Sequence, residues 1–93
     1  MARIVVRDVE YRRGLETARE LTRHLTRIAG ETVRVRGPAA CPIARIAGRH
    51  RQQIELFADT PGALGALLTT ARREALIQPG EAMVIDVDPI ALL

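Results

Sequence analysis

TVRVRGPAACPIARIAGRHRQQIELFA, residues 32–58, decides the fold. Its opening residues alternate, so Val33 and Val35 point to one side and Arg34 and Arg36 to the other, as in a strand with one buried face. Gly37-Pro38 ends that strand in this reading, because neither residue suits a ladder interior. CPIARIAG, residues 41–48, reads as either one short helical turn or an ordered loop closed by Gly48. RHRQQIELFA, residues 49–58, resumes the alternation, with Gln52, Ile54 and Leu56 on one face and Gln53, Glu55 and Phe57 on the other. The two strands are expected to pair as a hairpin with a long, basic connection.

Upstream, ARIVVRD at residues 2–8 is a β-branched run too short for a helix. From Glu10 to Gly30 the spacing becomes helical. Tyr11, Leu15, Ala18, Leu21, Leu25 and Ile28 fall within an arc of about 140°, opposite Arg12, Glu16, Arg19, Glu20, Arg23 and Arg27. Arg12–Glu16, Glu16–Arg19 and Glu20–Arg23 are spaced to form surface pairs worth about 0.2–0.5 kcal/mol each. Gly30 supplies the stop. Downstream, Asp59-Thr60-Pro61 offers a polar cap and a proline at the first helical position, followed by Leu64, Leu67, Leu68 and Ala71 on one face. Pro79-Gly80 turns the chain. AMVIDVD, residues 82–88, forms a last strand with Met83, Ile85 and Val87 inward and Val84, Asp86 and Asp88 outward. The order β-α-β-β-α-β predicts an α+β ferredoxin-like two-layer sandwich, a four-stranded antiparallel sheet with two helices on one face, as a single domain over residues 1–93.

Charge gathers in the stretch that decides the fold. Thr32 through Ile54 holds Arg34, Arg36, Arg45, Arg49 and Arg51, five of the fourteen basic residues, and none of the eleven acids. The net +3 therefore resides in this one segment. All the bases are arginine; a G+C-rich genome would produce this, and the planar guanidinium fork also suits bidentate grip of phosphate. Acid-free arginines on a hairpin create a positive field able to displace counterions from a phosphate backbone. A solvated hairpin, or one that docks on the acids of another domain, has the same charge. With only Tyr11 and Phe57 aromatic, binding by stacked rings is disfavoured.

Catalytic chemistry is not indicated. No phosphate-binding Gly-rich loop precedes a Lys-Ser/Thr pair, so a nucleoside triphosphate site is not expected. The chain has no serine. Cys41 lies nine residues before His50, and a small buried or capping cysteine is the simpler reading. His24 sits on the charged helix face with no second soft ligand, so no metal or cofactor is expected. Asp86 and Asp88 read as acids at the exposed end of a strand rather than a catalytic pair. Asp8-Val9-Glu10 is acidic where an acylphosphatase, which shares this element order, needs an arginine-bearing loop. Charges at Arg3, Arg7 and Asp8 argue against a signal peptide, no run is long enough for a membrane span, and a single cysteine suits a reducing compartment. A cytoplasmic location is expected.

Two stretches resemble one family. GPAACPIARIAGRHRQQ, residues 37–53, is similar to a pattern Gly-Pro-Ala-x-x-Pro-Ile/Leu-Ala-Arg/Lys-x-x-Gly-Arg/x-x-Arg-x-Gln in the C-terminal domain of bacterial primosomal protein N′, the replication-restart DNA helicase. IDVDPIALL, residues 85–93, looks like the extreme C-terminus of that family, and a helix of matching length separates the two. The resemblance implies the compact fold of a small-subunit ribosomal protein and a place beside the helicase core, with the ATP-binding lobes and zinc-binding cysteines upstream. It also implies help in binding branched DNA at abandoned forks, and contact with single-strand-binding protein. Arg45, Arg49 and Arg51 are the motif arginines, with Gln53 after them. His50 stands where the family usually has Tyr or Trp, Gln52 where it often has another aromatic, and Thr60-Pro61-Gly62 where many members carry a basic residue.

The expected function is a noncatalytic DNA-binding and docking domain, with Arg34, Arg36, Arg45, Arg49 and Arg51 on phosphates of forked or branched DNA. The alternative is a module that packs on the helicase core or a single-strand-binding-protein tail without binding DNA.

Overall fold

A computed structural model describes residues 1–80 and 82–87. Strand β1 (Ala2–Asp8) leads into helix α1 (Tyr11–Ala29). Strands β2 (Val33–Ile46) and β3 (Arg49–Ala58) follow, then helix α2 (Pro61–Arg73) and strand β4 (Met83–Val87). The sheet order is β2-β3-β1-β4 with every neighbouring pair antiparallel. This is the α+β ferredoxin-like layout that the pattern predicts. Asp88 and the rest of the 85–93 signature beyond Val87 lie outside the described residues.

The core forms where one face of the sheet meets both helices. Ala2, Ile4 and Val6 of β1, Val33 of β2, and Ile54 and Leu56 of β3 pack against Ala18, Leu21, Leu25 and Ala29 of α1 and Leu64, Leu67, Leu68 and Ala71 of α2. Ile77, in the loop before β4, closes the end of this layer. At α2 the cap is as expected: the Thr60 hydroxyl accepts the Ala63 N–H at 3.2 Å, and Pro61 starts the helix.

Helix α1 departs from its pattern at two points. Tyr11 is 54% exposed instead of buried, since the first turn overhangs the core; its ring meets His50 edge-on, with centroids 5.6 Å apart. Gly14 is buried in its place, and a Cβ there would lie 3.0 Å from the Asp8 Cβ, so the helix starts close against β1. The surface pairs expected along the helix do not close within 4 Å among the described residues. Exposed pairs of this kind gain little against the entropy of holding two long side chains. The ion pairing sits at the helix start. Asp8 accepts the Glu10 N–H at 2.8 Å and receives Arg13 in a fork, Nε and Nη2 each at 2.8 Å, while Arg13 Nη1 lies 2.6 Å from Glu10 Oε2.

The fork and the Glu10 N–H hold the Asp8 carboxyl below its ordinary value of 3.8. A carboxyl depressed by folding contributes stability above its unfolded pKa and loses that contribution as pH falls through the folded pKa. The stability difference between the wild type and Asp8→Asn is therefore expected to shrink steadily as pH drops below about 4. Denaturant melts across that range measure it, and a constant difference would show that the carboxylate charge contributes nothing.

The hairpin differs most from expectation. The segment read as a short helical turn or loop is strand: β2 runs on through residues 37–46, and the expected long connection shrinks to Ala47 and Gly48 between Ile46 and Arg49. Two register shifts, between Arg36 and Ala39 and between Ala40 and Arg45, let the strand bend where Gly37-Pro38 was expected to end it. Ala47 and Gly48 have φ of 52° and 78°, the positive pair that a two-residue type I′ turn requires. Cys41 is buried with a free thiol, as the sequence suggests.

Candidate nucleic-acid interface

Alternation along the strands sorts the arginines. Because Ile54 and Leu56 enter the core, Arg49, Arg51, Gln53, Glu55 and Phe57 of β3 face the side without helices. The same parity puts Arg3, Val5 and Arg7 of β1, Arg34 and Arg36 of β2, and Val84 and Asp86 of β4 on that face. Acids are scarce there: among the described residues they are Glu55 and Asp86, and Asp8 at the β1 end lies near enough to Arg49 for that guanidinium to help hold its carboxyl down. The structure thus brings Arg49 and Arg51 together with Arg3 and Arg7, which the sequence reading did not single out, and places Arg34 and Arg36 toward the β2 edge. Arg45 does not join them. It pairs with His50 across the hairpin and so lies on the opposite face, toward the start of α1.

Each guanidinium is held differently. Arg34 lies over the Phe57 ring at 5.7 Å from its centroid, a cation–π contact. Arg36 Nε is 3.9 Å from Glu55 Oε1, a loose pair on a side chain that is 76% exposed. Arg3 reaches Asp86 Oδ2 at 3.6 Å and donates to Gln53 Oε1 at 3.5 Å, which fits a charge-pairing role for Asp86. Arg7 donates through Nη2 to the Gly80 carbonyl at 3.1 Å, and Arg51 through Nη1 to the Ile43 carbonyl at 2.9 Å. These carbonyls fix two guanidinium groups in position without neutralising them. Arg7 and Arg51 stand directly opposite each other across β1 and β3. Their guanidinium groups turn apart, Arg7 toward Gly80 before β4 and Arg51 toward Ile43 of β2. The Arg7 Nε–H is also buried with no acceptor among the described residues.

A cleft of about 430 Å³ opens in this face, with Arg3, Arg7, Arg49, Arg51 and Asp86 around Val5 and Val84, and with Ile46 and Ala47 of the hairpin tip as one wall. Ile46 shares this face with its partner Arg49. Arg3 and Arg7 were legible in principle. ARIVVRD alternates, and in the β-α-β-β-α-β layout the first strand lies beside the third, so arginines on both must share a face. His24 sits on α1, its Nδ1 3.4 Å from Arg27 Nη2. No group of three His, Cys, Asp or Glu side chains placed to hold a metal ion occurs among the described residues. No helix among them is long and apolar enough to cross a membrane.

The model of the family described as primosomal protein N C-terminal domain matches residues 1–90. No curated protein matches the chain.

Proposed function

The chain belongs to the family of primosomal protein N C-terminal domains, and from that premise we propose that it is a noncatalytic DNA-binding and docking domain, helping an ATP-dependent replication-restart helicase recognise forked or branched DNA in the cytoplasm. Membership makes it a domain of the primosomal replication-restart machinery; the DNA contact and its residues are our reading. The observation that carries it is the gathering of Arg3, Arg7, Arg49 and Arg51 around one cleft on a sheet face with few acids. A face that gathers four guanidinium groups, two of them held by backbone carbonyls rather than by acids, is suited to a polyanion. Arg49 and Arg51 grip phosphates together with Arg3 and Arg7, and Arg34 and Arg36 extend the track along the sheet. Contacts of this kind position the domain without reading base sequence.

Arg45, on the other side of the hairpin, suits a second arm of a branched substrate. The docking part of the proposal rests on apolar side chains exposed near the same end, Val9 and Tyr11. There the helicase core or a single-strand-binding-protein tail is the partner, and no cofactor is required.

The test is a salt titration of the domain on forked, duplex and single-stranded DNA. Six phosphate contacts on this face give a log–log slope of about −5. Arg45→Ala is expected to weaken fork binding several-fold while leaving linear duplex binding within about twofold, since only a branch offers a backbone to both faces. Negligible binding to every DNA at low salt would leave docking alone.

A further inference from the structure

We infer that the cleft at the hairpin end of the helix-free face takes an unpaired nucleotide, its phosphate at Arg7 and Arg51 and its base against Val84 and Ile46. This rests on the DNA-binding reading above and adds the kind of DNA that the cleft selects: the single-stranded segment at a branch rather than duplex backbone.

The cleft is graded along the strands. At one end Arg7 opposes Arg51; two residues along β1, Val5 lies between Gln53 and Val84; two further on, Arg3 lies between Glu55 and Asp86. Four residues of antiparallel strand span about 13 Å. Cationic donors, then an apolar middle, then a donor beside an acceptor therefore follow one another at a spacing that suits phosphate, sugar and base.

The apolar middle separates this ligand from a plain phosphodiester. Val84 is 38% exposed and Ile46 is 47% exposed, both in the wall of the same cleft as the arginines. Duplex backbone presents phosphates and sugars to such a face and keeps its bases stacked inside, so the apolar wall has nothing to cover. An unpaired base brings a flat apolar surface that loses water against the two side chains. At the far end, the Asp86 carboxylate is only loosely paired with Arg3, at 3.6 Å. It is an acceptor suited to a base N–H, the ring N3–H of thymine or the exocyclic amino group of another base. A volume of about 430 Å³ falls in the range of small-ligand sites. An acidic peptide with an apolar end is the other anion that such a wall could take, but Asp86 and Glu55 would repel its carboxylates.

Ile46→Ser combined with Val84→Ser tests this. Both side chains lie outside the core cluster, so the fold persists, with the melting temperature as the check. Fluorescence anisotropy at fixed low salt compares an oligothymidylate, a blunt duplex and a fork with a single-stranded gap. The oligothymidylate and the gapped fork are expected to bind about 5–10-fold more weakly to the variant and the duplex within about twofold. Equal losses on all three, or no loss on any, would overturn this inference alone and leave the phosphate reading intact. Absence of binding by the wild type to any DNA would overturn both. If an acidic peptide with an apolar terminus binds the wild type and not the variant, while oligothymidylate affinity is the same for both, the cleft is a peptide site and the inference fails.

Discussion

Replacing Arg7, Arg49 and Arg51 together by glutamine is expected to lower affinity for forked DNA roughly 100- to 1,000-fold at low salt and to flatten the salt dependence by about three log units per log unit of salt. Each guanidinium that meets a phosphate releases close to one counterion, so the loss in slope counts the contacts removed. Stability should move little. The wild type buries an Arg7 Nε–H with no acceptor among the described residues, which weighs against the fold. Glutamine removes this buried donor, at the loss of the Arg7 bond to the Gly80 carbonyl, the Arg51 bond to the Ile43 carbonyl and the attraction of Arg49 for Asp8. A variant that binds weakly yet melts no earlier separates function from folding. If the slope is unchanged, phosphates do not meet this part of the sheet, and the arginines serve a protein partner.

Periodicity made most of the fold legible. Alternation in TVRVR, in RHRQQIELFA and over Met83 to Asp86 assigned inward and outward residues that the structure places as expected, because one buried face leaves each strand a single workable register. Val87, expected inward, is 45% exposed at the end of the last strand. The segment from Gly37 to Ile46 was not legible. It has no alternation and carries two prolines, and what makes it strand is pairing with β3 through two bulges, a tertiary effect that local pattern does not record. The candidate site divides in the same way. Arg49 and Arg51 stand out by charge density along the chain, whereas Arg3 and Arg7 lie far from them in sequence and join them only through the β1–β3 pairing. Arg45 shows the reverse: it belongs to the same run of charge, yet register turns it to the other face. Counting charge along a hairpin overestimates what one surface can gather, since neighbouring residues alternate sides.

Gly37→Ala should destabilise the domain by about 2–4 kcal/mol, lowering its melting temperature by about 10–25 °C. Gly37 has φ of 117°, where an L-residue is strained, and a Cβ there would sit 2.8 Å from the Gln53 carbonyl oxygen and 3.5 Å from the Ile54 Cα. The obstacle is the backbone of β3, which lies between β2 and β1 and cannot rotate aside as a flexible side chain would. Relief requires β2 to lift from β3 at the first bulge. Gly65→Ala is the control: nothing lies within 4 Å of its Cβ position on helix α2, and alanine there should stabilise by about 0.5–1 kcal/mol. Chemical denaturation of both variants should give opposite signs, and equal effects would mean that the close approach at Gly37 does not constrain the hairpin. The same displacement would swing the distal half of β2, with Ile46 at its end, away from Arg51 and Val84. At temperatures where Gly37→Ala remains folded, single-stranded DNA should therefore bind more weakly while duplex affinity, set by phosphates across the wider sheet face, holds.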